Sequence, residues 1–261
     1  PTAIAELVPD HPVAIGPHDA SGKGMGGAWF PATTNSNLSP LLWRAKFPES
    51  IQSELVSDSN PTGTINNSQL ELAGNIAHQD VLVQHVDCSG RTIVPLGDNI
   101  AQVAWQHKGS VTTASPTAYL LRLNSLHQRH FRYLAKPDYL PGPLNLMADD
   151  LSRLWHLTDS QLLSYFNIKY PQDQPWQTAT LRPAMLSSLT SALQKQRVDP
   201  ASLLNAQPKK MVIGASGSAT AKPLALAPTS KQSQTSFLFS KFLRSDSDKA
   251  PSLPPGNPSQ L

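Results

Sequence analysis

The first part of the chain switches between two hydrophobic periods. "HPVAIGPHDAS" runs apolar residues into a turn and predicts a strand ending near Asp19. "GMGGAWF" predicts a second strand, returning after a short glycine turn, and "LLWRAKF" a third. The spacing then becomes helical. In "NNSQLELAGNIAHQDVLVQHV", Leu70, Ala73, Ala77 and Val81 recur on one face, and Asn66, Asn67 or Ser68 is placed to cap it. "RTIVPLGDN" predicts a strand ending at Asp98, and "NIAQVAWQH" a short helix. "SPTAYLLRLNSLHQRHF" predicts a longer helix with Pro116 in its first turn. "RYLAKPDYLPG" reads as a strand closing in a turn, and "NLMADDLSRLW" as a further helix. Three successive strands followed by alternation predict an α/β fold, a mixed sheet with helices packed on it.

Beyond His156 the pattern is helical again. "TDSQLLSYF" and "RPAMLSSLTSALQKQR" predict helices, the second with Met185, Leu186, Leu189 and Leu193 on one face. We expect residues 158–204 to form a helical extension. Residues 205–261 are rich in proline and serine and predict a mostly disordered linker or tail, with "SFLFSKFLR" (236–244) as a short helix within it.

Charge changes the picture little. Residues 205–261 hold seven of the 21 Lys/Arg and two of the 18 Asp/Glu, so the tail supplies the basic excess and the body is near neutral. One cysteine among 261 residues excludes a disulfide framework and a zinc–cysteine cluster, and points to an intracellular, reducing compartment. The sequence contains neither an apolar run long enough for a membrane span nor a signal peptide. The chain opens on Pro1 and reads as an excerpt or processed piece of something longer.

The stretch "HDASGKGMGG" invites a phosphate-loop reading, which fails on spacing. Five residues separate Gly16 from Gly22-Lys23, Gly24 stands where Ser or Thr is needed, and a strand follows instead of a helix. The dinucleotide fingerprint fails for the same reason, since Gly27 leads into "AWF". The remaining expectation is a hairpin turn whose glycines supply positive φ.

Four acids then stand out by position. Asp19 ends the first strand, Glu71 opens the first long helix, Asp98 ends the fourth strand and Asp149 lies early in "NLMADDLSRLW". Each has an ordinary explanation as a turn residue or a helix cap. Brought together on one sheet edge they would repel unless cations neutralised them, and hard oxygen donors suit Mg²⁺ or Mn²⁺.

"HDASGKGMGGAWF", "NNSQLELAG", "LGDNIAQVAW" and "YLPGPLNLMADDLSRLW" resemble the four motifs of the ribonuclease H domain of retroelement reverse transcriptases, in the gypsy-like and DIRS-type groups. The run P-G-x-x-N-x-x-A-D-x-L-S-R, Pro141 to Arg153, is the most specific part. The resemblance covers roughly residues 10–157 and implies a ribonuclease H-like mixed five-stranded sheet with helices on both faces, over a domain of residues 1–157. It implies Asp19, Glu71, Asp98 and Asp149 as catalytic ligands of two Mg²⁺ ions, with Mn²⁺ as a substitute. Asp149 and not Asp150 holds the motif position. The implied substrate is an RNA–DNA hybrid, cut in its RNA strand, and the implied partner is an upstream polymerase domain. A catalytically silent remnant that binds nucleic acid or supports a polymerase is the alternative. One departure is Tyr139, where the family often has a histidine.

Hybrids are read by shape and by phosphate and 2′-hydroxyl contacts. Ser21, Gly22, Asn67 and Gln69 are candidates beside the acids. Arg122, Arg129 and Arg132 form a basic stripe on the "SPTAYLLRLNSLHQRHF" helix and its end, which is either a phosphate grip or a solvated face. His127 and His130 lack further ligands for a metal site, and Trp29, Trp43, Trp105 and Trp155 are expected in the core.

Overall fold

A computed structural model of the chain describes residues 12–32, 39–112 and 114–199. The expectations for the proline- and serine-rich tail and its "SFLFSKFLR" helix lie outside those residues. β1 (Pro12–Ala20), β2 (Gly24–Pro31) and β3 (Leu41–Lys46) form an antiparallel meander. A single turn of helix, α1 (Glu49–Gln52), leads by way of an irregular segment to α2 (Asn67–Val83). β4 (Thr92–Gly97) then pairs in parallel with β1 on its other side.

After α3 (Ile100–Lys108) and α4 (Pro116–Phe131), the expected fifth strand arrives in two pieces. β5 (Leu134–Ala135) and β6 (Asp138–Tyr139) both pair with β4 in parallel. Pro137 lies in the gap between them and has no N–H to offer the ladder. A 3₁₀ turn at Gly142–Leu144 leads into α5 (Leu146–Arg153).

The sheet continues past residue 157. α6 (Asp159–Lys169) is followed by β7 (Gln177–Ala179), which pairs in parallel with β3, and by α7 (Pro183–Leu193). The final order is β5-β4-β1-β2-β3-β7, with β6 also on β4, which makes seven strands among the described residues. The central order β3-β2-β1-β4-β5/β6 is antiparallel, then parallel, a mixed sheet with helices on both faces as the sequence resemblance implies.

Successive residues of a strand face opposite sides of the sheet. A side-chain carbon added to Gly26 would meet Leu151 of α5 at 2.6 Å, whereas one added to Gly27 would meet His78 of α2 at 2.7 Å. α5 and α2 therefore cover opposite faces. α4 and α7 pack on α2 from outside, so α2 is a middle layer and every residue from Gln69 to Val83 is buried. Apolar residues of α2, α4 and α7, with Met25 and Trp43 from the sheet, make one core cluster. Trp29 and Trp43 are buried as expected, whereas Trp155 is half-buried.

The glycine turn differs from expectation. Ser21 N–H donates to the Gly24 carbonyl at 2.8 Å, closing a tight turn between β1 and β2. Among the described residues, Gly90 and Gly109 are the glycines with positive φ, and neither belongs to this turn. Gly24 is needed for space: a side-chain carbon there would lie 2.3 Å from the Trp155 ring.

Candidate active site

Asp19 sits opposite Gly26 in the β1–β2 ladder and so faces α5. Its Oδ2 accepts a short hydrogen bond from Ser152 Oγ. Glu71 comes from the first turns of α2. That helix begins in a capping box: Asn66 accepts from Gln69 N–H at 3.1 Å, and Gln69 Oε1 accepts from Asn66 N–H at 3.0 Å. Asp98 follows β4. It leaves the capping of α3 to Asn99, whose side chain accepts from Gln102 N–H at 3.0 Å and donates to Ser68 Oγ at 3.1 Å. Asp98 is thereby released from the cap and hydrogen-bonds the Asn145 side chain.

One oxygen from each of Asp19, Glu71 and Asp98 lies within 4.8 Å of the others. They line an open cleft of about 370 Å³ together with Ala20, Ser21, Gly22, Asn67, Asn99 and Arg153. Burial raises the pKa of Asp19 against the Ser152 hydrogen bond, and the charges of Asp98 and Asp149 add to the rise. Glu71 is pushed well above the usual range by burial, then by the negative charges of Asp19 and Asp98 and a hydrogen bond shared with Asp19. Asp98, half-buried, is also raised, first by burial. Glu71 Oε2 is buried without any hydrogen-bond partner. Oxygen-only donors, mutual repulsion and an orphaned buried oxygen fit a hard divalent cation in this cleft.

Asp149 stands at the edge of this group. It occupies the first turn of α5 and its carboxylate pairs with Arg153 one turn on, both side chains about half exposed. Its charge still reaches Asp19 and Asp98. The neighbouring Asp150 is spent elsewhere: its Oδ2 accepts from Lys169 Nζ and Tyr170 Oη, both at 2.8 Å, and from Tyr165 Oη at 3.1 Å. The pair "DD" thus divides into one acid paired with Arg153 at the edge of the cleft and one fastening α6.

The sequence-derived nucleic-acid candidates separate in the same way. Gly22 and Asn67 are exposed on the cleft rim. Ser21 lines the cleft, but its hydroxyl donates to the Ser152 carbonyl at 2.8 Å. Gln69 is buried, with its side chain held in the capping box. Arg122, Arg129 and Arg132 are exposed on α4. α4 starts beside the beginning of α2, where Gln69 reaches Thr117, and passes the far part of α2, where His127 meets Asp80. Arg129 and Arg132 therefore lie away from the carboxylates. His127 is buried between Asp80 and Tyr133.

Sequence reasoning passed over Asn145 and Ser152. Asn145 Nδ2 donates to the His18 carbonyl at 3.0 Å while its side chain engages Asp98, and so joins β1, β4 and α5. Both lie at fixed places in the Pro141–Arg153 run, which was the available signal.

No family model matches the chain, and the curated proteins contain no match. A solved structure, RNase H1 from the halophilic archaeon Halobacterium salinarum NRC-1, is similar over 53% of this chain and 91% of that protein, at 17% identity and a TM-score of 0.33. No helix among the described residues is long and apolar enough to cross a membrane.

Proposed function

We propose that the chain is a two-metal ribonuclease H-type endonuclease that cuts the RNA strand of RNA–DNA hybrids. The observation that carries this reading is the convergence of Asp19, Glu71 and Asp98 from three separate elements, with Glu71 Oε2 unpartnered. Asp19, Glu71 and Asp98 would hold Mg²⁺ or Mn²⁺, and Asp149 would join them from the edge once released from Arg153. Ions held there would supply activation of a water and stabilisation of the leaving 3′-oxygen in phosphodiester hydrolysis.

The protein's part is positioning. Ser152 fixes the outer oxygen of Asp19, and Asn145 turns Asp98 toward the cleft while tying β1 to α5. Gly22 and Asn67 keep the rim low enough for a nucleic-acid backbone to approach. The motif run from Pro141 to Arg153 supports placement in a gypsy-like or DIRS-type reverse transcriptase polyprotein, beside an upstream polymerase domain. In that reading the motif-bearing domain ends near residue 157, and α6, β7 and α7 complete its sheet and core.

Asp98→Asn tests the assignment. Mg²⁺-dependent cleavage of a labelled hybrid should vanish in this variant while its circular dichroism stays that of the wild type. Full activity in the variant overturns the reading. Hybrid binding without cleavage by the wild-type chain, in Mg²⁺ and in Mn²⁺, supports the silent remnant instead.

A further inference from the structure

An acidic cleft repels the polyanion it is to cut, so cations nearby must hold the nucleic acid in place. The stripe on α4 is poorly sited for this. A second group of cations adjoins the cleft through a continuous chain of contacts. Gly22 lines the cleft and Lys23 follows it in the β1–β2 turn. The Lys23 carbonyl accepts from Phe47 N–H at 3.1 Å, which places the end of β3 beside the turn. Lys46 is paired with Gly24 across the β2–β3 ladder.

Trp155 organises this corner. Its Nε1–H donates to the Ser152 carbonyl at 2.6 Å, the same carbonyl that accepts from Ser21 Oγ, and its ring lies over Gly24. Arg44 and Lys46 stand over that ring at 5.1 and 5.6 Å from its centre. The two cations differ in their commitments. Arg44 is spent on Asp159 and on the carbonyls of Leu154 and Leu157, and so holds the segment after α5 in place. Lys23 and Lys46 are exposed, and neither has a carboxylate partner among the described residues.

We propose that Lys23 and Lys46, with Trp155 as the platform under Lys46, form the phosphate-binding rim that holds the nucleic-acid backbone beside the carboxylate cleft. The proposal rests on the nuclease reading and names where the substrate's flanking phosphates lie. The rim reads charge and not sequence, so it takes a phosphodiester backbone of any base composition. Its position beyond Gly22 puts the flanking backbone along the β1–β2 turn and the end of β3, across the sheet from α4.

The experiment uses the full chain carrying Asp98→Asn, so that labelled RNA–DNA hybrid stays intact in Mg²⁺, with binding followed by fluorescence anisotropy over a salt series. Adding Lys23→Ala and Lys46→Ala should weaken binding about tenfold at low salt and make the plot of log affinity against log salt shallower by about two, one for each lysine. Replacing Arg122, Arg129 and Arg132 by alanine instead should leave slope and affinity unchanged. An unaltered slope in the lysine variant, or a loss found only in the arginine variant, overturns the rim while leaving the nuclease reading intact. If the Asp98→Asn chain binds no hybrid and the wild-type chain cleaves none, the nuclease reading fails and the rim falls with it.

Discussion

α2 buries a carboxylate near each end, and the two are treated in opposite ways. Glu71 faces Asp19 and Asp98, has one oxygen without a partner, and is pushed up in pKa by burial and by those charges. Asp80 lies nine residues on, about 13 Å along the helix axis. Burial would raise it too, but hydrogen bonds from His127 and Arg182, with the Arg182 charge, outweigh burial and hold it below the usual range. Its oxygens accept from His127 Nε2 at 3.0 Å and from Arg182 Nε at 3.1 Å, with a second, short bond from Arg182 Nη2. One burial is completed by the protein itself. The other is left incomplete, with one Glu71 oxygen unpartnered, as the proposed cation site requires. The same helix thus carries a fastening at one end and, at the other, an unsatisfied acid in a carboxylate cluster.

Four measurements press on this contrast. The largest effect is expected from Glu71→Gln: cleavage of a hybrid should fall roughly a thousandfold, ~4 kcal/mol of barrier. Its melting temperature in EDTA should rise above wild type, because a repelled buried charge is gone. A variant that melts lower and cleaves normally would reverse the contrast. Asp80→Asn should do the opposite, losing about 3–5 kcal/mol of stability by denaturant titration because Arg182 loses its anion. The fraction still folded should cleave at the wild-type rate.

Third, Mg²⁺ at a hundred times its Kd should stabilise the wild-type chain by about 2.7 kcal/mol in thermal melts. Asp80→Asn should keep that increment and Glu71→Gln should lose most of it. The smallest effect is in pH. His78 and His127 are fully buried, and burial depresses both below the ordinary 6.5. As pH falls below that value, the unfolded chain takes up protons that the folded chain refuses. Stability should therefore fall by about 1.4 kcal/mol per pH unit for each histidine, until the folded groups titrate in turn. The raised carboxyls of Asp19 and Glu71 push the other way, and saturating Mg²⁺ removes their share. Melts in Mg²⁺ from pH 7 to 5 therefore isolate the histidines.

The convergence of Asp19, Glu71 and Asp98 was legible because these acids stand at element ends. Asp19 and Asp98 close apolar strands, Glu71 opens a helix, and the Pro141–Arg153 run singles out Asp149 over Asp150. What escaped reading depended on layers and on distance along the chain. The spacing of Leu70, Ala73, Ala77 and Val81 predicts one buried face of α2. Its other sides meet the sheet, α3 and α4, so Asn75, His78, Gln79 and Asp80 are buried as well. These polar groups then need partners no local pattern announces, such as Trp43 Nε1 for His78 Nδ1 at 2.8 Å and Tyr133 Oη for Gln79 at 2.7 Å. Gln69 looked like a rim amide because its neighbours are rim residues, and its role as a cap partner appears only once the helix start is placed. β7, three residues long, is too short to show a period at all.

That short strand matters for how the protein behaves outside its fold. β7 covers Leu41, Leu42 and Trp43, the apolar half of β3, along the border of the sheet. A chain trimmed at residue 157, where the motif resemblance stops, would leave those backbone groups unpaired on an oily border. It would also strip Arg182 from Asp80. Such a fragment would present a ready template for a second copy, and it should precipitate or form oligomers where the longer chain stays dispersed.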